Sequence, residues 1–450
     1  MTPASARWPL RLALCVGYFL VLLDVTIVNV ALPQIGSDLN AGASGLAWVV
    51  DAYSVPLAAL LLAAGGIGDR LGHRRVVLLG LVGFGTSSVL CALAPAVGML
   101  IAARAVQGVG AALMLPGTLA LLVENAADEN ARSRLVGVWA AIGGAALPAG
   151  PLIGGLLVQT AGWRAVFWLS VPVIALALVP VLRLPGSGAG RRRDDPVDWG
   201  GAGLLVAGLA CLVTAIIQGP DLPWLGVPLG VIAVGLAAWF VSVERRTAHP
   251  LLSIPHRTRG ALAAACAVAG LMNLCVLGAL FLLTQLFQDV HSFDPLTAGL
   301  STLPAMLPLP LLGAPSGRLT ARIGVWHTSA LGLLVSAIGF AGIACTAGGS
   351  NMALLFCLAV WGAGLGILTP AIVTAALRAA PGSPGAASGV SNTSRQTGGA
   401  LGVAIFAAIA GPADGLGFVS HSLALFLAGS AAFAVAGMLC FAAARRRSWR

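Results

Sequence analysis

The 450-residue sequence contains no lysine; all 25 of its basic residues are arginine. A phosphate-binding loop of the GxxxxGK[ST] type therefore has no representative here, which argues against ATP-driven pumping by this chain. Charge of either sign is scarce. Charged residues make up 9% of the chain and hydrophobic residues 58%, whereas about a quarter of a soluble domain is charged. A single water-soluble core of this length is excluded. The apolar runs are too long and too unalternating for the strands of a membrane barrel, and closed backbone hydrogen bonding within lipid favours helices. All eight cysteines (Cys15, Cys91, Cys211, Cys266, Cys275, Cys345, Cys357 and Cys440) lie inside apolar runs without metal-ligand spacing. They read as small hydrophobes, and no disulfide, metal or cofactor is expected. No sizeable extramembrane segment carries a nucleophile–base or metal-ligand constellation, so an integral membrane enzyme is the weaker reading. No cleavable leader is evident either, because the first apolar run continues into a spanning length.

What is present is a series of apolar segments of about 20 residues each, the length that crosses a bilayer as a helix. Polar breaks divide the chain into fourteen candidate spans. These start near Leu10, Gly45, Val76, Gly98, Leu135, Trp163, Trp199, Leu225, Gly260, Pro295, His327, Asn351, Ala386 and Val419. Arginines gather before the first span and after each even-numbered one, with Arg164 the one candidate exception. The positive-inside rule then places both termini in the cytoplasm of a multi-pass protein of the inner (plasma) membrane, and the even span count agrees. The formal charge of +10 is thus an orientation signal and does not mark a nucleic-acid surface. Trp8, Trp48, Trp163, Trp199, Trp224, Trp326 and Trp449 fall at span ends, as interfacial anchors do. Trp139 and Trp361 fall within spans, where helix packing and a stacking wall for a flat or cationic ligand are both open.

Two polar, basic stretches, 184–198 and 244–259, read as cytoplasmic linkers. They divide the chain into a six-span half (1–183), an inserted pair (199–243) and a second six-span half (260–450). An internal repeat supports this division. Residues 65–72 (GGIGDRLG) align with 317–324 (GRLTARIG), so that Gly65, Arg70 and Gly72 match Gly317, Arg322 and Gly324. Gly110 and Pro116 match Gly364 and Pro370 at nearly the same offset. Two parallel six-span repeats are a known transporter plan, with the site near mid-membrane.

Ionisable residues at bilayer depth are costly and normally face a protein interior or a wet cavity. Asp24 sits in the stretch 23–35 (LDVTIVNVALPQI), roughly 21 Å from the inner end of span one at 1.5 Å per residue. Asp51 and Arg104 lie roughly 9 Å below the outer ends of spans two and four. A guanidinium beside a carboxylate stabilises its charge, whereas apolar surroundings stabilise the neutral acid. Moving an acid between those environments binds and releases a proton; the competing reading is a structural ion pair. The second half has no acid inside a span and offers Asn273, Gln285, Asn392, Arg395 and Gln396 instead. Arg395 either lines a cavity or is braced by backbone carbonyls.

Taken in order, these motifs resemble the major facilitator superfamily, and within it the fourteen-span drug:proton antiporters, over essentially the whole chain. Residues 23–35 are similar to that subgroup's first-span signature. Residues 65–75 are similar to the superfamily's cytoplasmic loop motif, and 104–108 (RAVQG) to its fourth-span arginine motif. Gly137, Gly150, Pro151, Gly154 and Gly155 match the spacing of the antiporter motif in span five, with Ala146 in place of the usual glycine and Pro148 additional. Residues 198–200, 219–224 and 392–399 also look like the subgroup. The resemblance implies a cytoplasmic charge latch that includes Gly65, Asp69, Arg70, Gly72 and Arg74, with Glu124 and Asp128 as further members. His73 stands where that motif usually has arginine, and a neutral imidazole would weaken the latch unless Arg74 takes over.

The expectation is an all-helical, fourteen-span antiporter, monomeric in the lipid bilayer. It would export small organic drugs or antibiotics by alternating access in exchange for protons. Proton coupling is expected at Asp24, Asp51 and Arg104. The substrate cavity is expected to draw on Trp139, Asn273, Gln285, Trp361, Asn392 and Arg395. A facilitator-fold importer or lipid flippase is the alternative.

Overall fold

The computed structural model describes residues 4–125, 128–184, 199–246, 259–346, 351–380 and 384–447. The two expected linkers, 184–198 and 244–259, lie almost wholly outside the described residues, as does Trp449. Among the described residues every regular element is a helix. The chain forms two compact units, residues 1–251 and 252–450.

The first unit contains α1 (Ala4–Leu39), α2 (Ala43–Leu71), α3 (His73–Ala92), α4 (Val97–Glu124) and α5 (Glu129–Ala161), then the short α6 (Arg164–Trp168) and α7 (Ser170–Leu182) that share one span. The inserted pair, α8 (Trp199–Gln218) and α9 (Pro223–Arg246), follows. These two helices pack on each other, and α8 also packs on α2. The second unit contains α10 (Arg259–Gln285), which ends in a π-helical turn (Leu286–Val290), α11 (Pro295–Met306), α12 (Pro308–Ile323), α13 (Val325–Thr346), α14 (Asn351–Ala379), α15 (Pro384–Ala410) and α16 (Phe418–Arg447). α11 and α12 are one span broken at Leu307, where Pro308 brings no N–H to continue the ladder. Asp294 starts α11 as its N-cap, accepting from the backbone N–H groups of Leu296 and Thr297. The Thr297 hydroxyl also donates to it, and these bonds hold the exposed carboxyl below its ordinary range.

Thirteen helical segments among the described residues are long and apolar enough to cross a membrane. The fourteenth expected span is α15, whose 27 residues suffice in length. Its first half carries the polar run 391–397 (SNTSRQT), which keeps it below the apolar threshold that the others pass.

The sequence repeat has a backbone counterpart. Gly72 turns α2 into α3 at φ +88°, and Gly324 turns α12 into α13 at φ +87°. Both are left-handed positions that glycine adopts without a side-chain penalty. The second matched pair also has equivalent roles. A Cβ on Gly110 would meet the backbone of Gly80 and Phe84 in α3, and one on Gly364 would meet the backbone of Gly332 and Ser336 in α13. Each unit thus joins corresponding helices by close backbone approach at glycine, the contact that substitutes for hydrophobic driving force within lipid.

Candidate functional site

In the first unit, four helices converge on Asp24. One of its oxygens accepts from Arg104 Nη1 of α4 at 2.5 Å, and the other accepts from Gln107 Nε2 at 3.3 Å. Asp24 is 4% exposed and Arg104 1%. The guanidinium has further partners. Its Nε donates to the Val49 carbonyl of α2 at 3.0 Å, and Nη1 also donates to Gln107 Oε1 at 2.7 Å. Its carbon lies 4.4 Å from the centroid of the Tyr53 ring, a desolvated cation–π contact. Gln107, three residues from Arg104 and so on the same helix face, donates to Ser88 Oγ of α3 at 2.9 Å. The Tyr53 hydroxyl donates to the Val21 carbonyl of α1 at 2.9 Å. The network thus ties α1, α2, α3 and α4 together around one acid and one guanidinium.

The local packing explains how these side chains reach one another. A Cβ on Gly108 would meet the Tyr53 backbone, so glycine lets α4 lie against α2 at the depth where Arg104 crosses. Gly150 and Gly154 do the same for α5 against Thr26 and Ile27 of α1, beside Asp24. Pro151 and Gly155 are buried in the same helix, whereas a Cβ on Gly137 would meet nothing within 4 Å. Span five thus makes its close glycine contacts with α1 at Gly143, Gly150 and Gly154.

Asp51 does not join this network. It is 0% exposed, and neither carboxylate oxygen has a hydrogen-bond partner among the described residues. It stands two residues from both Val49 and Tyr53, which face α4, and two residues is more than half a turn of helix.

The expected cavity residues are dispersed. Trp139 of α5 stacks on Tyr18 of α1, with ring centroids 3.6 Å apart and planes within 9°. Its indole N–H is buried and lacks a protein partner among the described residues. Trp361 is 0% exposed. Its ring sits at 4.9 Å and edge-on to Phe340, which also meets Phe426 and Phe433 among α13, α14 and α16, and its indole N–H is buried without a partner among the described residues. Gln285 is buried and donates to the Phe281 carbonyl of its own helix. Asn273 on α10 is buried, while Asn392 and Arg395 on α15 are partly exposed. α10 and α15 pack closely through Gly270, Gly398 and Gly402, beside the Ser394 hydroxyl bond to the Cys266 carbonyl at 2.7 Å.

At the junction of α2, α3 and α4, His73 Nε2 lies 3.2 Å from Asp69 and 3.6 Å from Glu124. Arg74 does not take over: its guanidinium donates to the Val181 and Leu182 carbonyls at the end of α7. Asp128 is used as the N-cap of α5, accepting from the Ala131 N–H at 2.6 Å. Arg70 makes no ion pair among the described residues, and nothing lies within 4 Å of a Cβ on Gly65.

Sequence reasoning assigned no role to Tyr53, Ser88 or Gln107. Tyr53 is one of only two tyrosines in the chain, and Gln107 falls within the arginine motif at i+3; those were the available signals. Trp163 was expected as an interfacial anchor, but it is 1% exposed, and its indole N–H donates to Asp38 at 2.9 Å. Its backbone N–H donates to Gln34, and Arg164 lies over its ring at 4.2 Å, closing the C-terminal end of α1 against the α5–α6 turn.

Comparison with known proteins agrees with this architecture. The sequence model of the Major Facilitator Superfamily matches residues 14–403. The chain is 34% identical to the tetracenomycin C resistance and export protein of Streptomyces glaucescens over 90% of its own length and 77% of the relative's. It is 33% identical to the methylenomycin A resistance protein of Streptomyces coelicolor over 97% of its length and 91% of the relative's. Among solved structures, the human organic anion transporter MFSD10 has the same fold, with a TM-score of 0.66 at 19% identity, covering 98% of this chain and 100% of that one.

Proposed function

From the premise that this chain belongs to the Major Facilitator Superfamily, we propose that it is an antiporter that exports small, largely apolar drugs or antibiotics in exchange for protons, by alternating access. The names of its relatives, which are resistance and export proteins, support the direction and the substrate class. The observation that carries proton coupling is the surplus of partners around Arg104. A buried ion pair normally cannot lose one member without stranding the other. Here Arg104 keeps the Val49 carbonyl, Gln107 and the Tyr53 ring when Asp24 is neutralised. Asp24 is thus free to take up and release a proton while its counter-ion stays held. Asp51, buried without a hydrogen-bond partner among the described residues, is the second acid in the reading.

For substrate contact, the reading offers the Trp139 indole in the first unit and Asn273, Asn392 and Arg395 in the second. Trp139 supplies an aromatic surface with a spare N–H. Purified protein in liposomes, given a pH gradient and screened over compound classes, tests the reading. Accumulation against a concentration gradient that collapses with the pH gradient is expected. In the same assay, Arg395→Gln is expected to reorder the compounds transported. Export unaffected by collapse of the pH gradient would remove proton coupling.

Both termini are placed in the cytoplasm, following the arginine distribution. A cysteine at Asp221, between α8 and α9, is therefore expected to react with an impermeant reagent added outside intact cells. One at Gly188 is expected to react only after permeabilisation, and labelling of Gly188 from outside would invert the topology.

A further inference from the structure

The start of α3 carries a titratable group at the meeting point of three helices. His73 Nε2 faces two carboxylates, Asp69 from α2 at 3.2 Å and Glu124 from α4 at 3.6 Å. The ring is seated on Gly68, where a Cβ would meet Nδ1 and Cε1, so any larger residue there would displace it. Nδ1 is buried and has no partner among the described residues. The carboxylates are about half exposed, at 53% and 49%, so both remain solvated whatever the imidazole does. The other charges nearby point elsewhere. Arg74 is committed to the carbonyls that end α7. Arg70 and Arg75 make no ion pair among the described residues, and α7, packed on α3, contains no titratable side chain.

We propose that His73 makes the junction of α2, α3 and α4 a cytoplasmic pH sensor. Protonated, the imidazole is the cation that bridges Asp69 and Glu124. Neutral, it gives a single N–H to two acceptors, and the carboxylates are left without a counter-charge. The sign follows: the bridge is present at low cytoplasmic pH and is lost as pH rises through the imidazole range, near 6.5 in an unperturbed side chain. The junction therefore tightens in an acidified cytoplasm and loosens in an alkaline one. This rests on the transport reading only for its physiological consequence, because the bridge itself can be followed without any substrate.

Hydrogen exchange of the full-length protein in lipid nanodiscs, corrected for the intrinsic pH dependence of exchange, tests the proposal in the segments 66–76 and 120–125. Between pH 6 and pH 8 the wild-type protein is expected to exchange roughly two- to five-fold faster in both segments, the range expected of a part-exposed ion pair. His73→Arg is expected to be flat at the slow rate and His73→Gln flat at the fast rate, with other segments unchanged. A wild-type protein without the slope, or a His73→Arg protein that retains it, overturns the proposal. The His73→Arg comparison stands even if His73→Gln fails to insert.

Discussion

Asp24→Asn is expected to abolish uphill export while leaving downhill exchange of a neutral substrate intact. Each pH unit of gradient contributes about 1.4 kcal/mol per proton, or about tenfold in concentration ratio. In liposomes carrying one unit of gradient, the variant's accumulation is therefore expected to fall from about tenfold to equality across the membrane. Asparagine keeps the shape, and its one carbonyl oxygen can still accept from Arg104; its NH2 replaces the oxygen that accepted from Gln107, so that bond is lost. Arg104 still holds Val49 and Gln107, Gln107 still holds Ser88, and the Tyr53 hydroxyl still holds Val21, which keeps the helices α1 to α4 tied. What it loses is the ability to exchange a proton. Persistence of accumulation in an inserted, folded variant would move the coupling to Asp51, which has no hydrogen-bond partner among the described residues and stands apart from the network.

The second large effect concerns stability and separates it from transport. Arg104→Met leaves the Asp24 carboxylate buried without its cation, and breaking one side of a buried pair costs about 3–5 kcal/mol. A markedly lower unfolding temperature in detergent is expected. Replacing both members by apolar residues, Asp24→Leu with Arg104→Met, removes the stranded charge, and recovery of most of the lost stability is expected. Transport is expected to be absent from both proteins. If Arg104→Met alone unfolds at the wild-type temperature, the pair is not a structural element and the convergence of α1 to α4 has another cause.

The spans were legible because each is a long apolar run bounded by polar residues. The helix starts fall within six residues of those expected, from Ala4 against Leu10 to Phe418 against Val419. The repeat was legible because a turn with positive φ and a close backbone approach both demand glycine, and glycine is visible in a sequence. Asp24 and Arg104 could each be singled out by the cost of charge in lipid, but their meeting depends on how two helices separated by eighty residues rotate against each other. Tyr53 was invisible for the same reason. Its hydroxyl and its ring serve different helices, and neither contact leaves a periodic trace. Trp163 was misread because interfacial depth and burial look alike in a sequence; only the fold shows Asp38 within reach of its indole. The reading of Trp361 was open between packing and stacking; its ring is fully buried and meets Phe340 edge-on.

The polar first half of α15 has a consequence for how the protein is made. Insertion machinery partitions each emerging segment by its own hydrophobicity, and an arginine near a span's centre costs about 2.5–3.5 kcal/mol at that step. Arg395, with Ser391, Asn392, Thr393, Ser394, Gln396 and Thr397 around it, makes α15 a poor recruit by itself. What welcomes it is α10, synthesised more than a hundred residues earlier, which presents the glycine surface and the Cys266 carbonyl that receive it. A late helix of the second unit thus depends for its insertion on an early one, through a contact that belongs to the folded state.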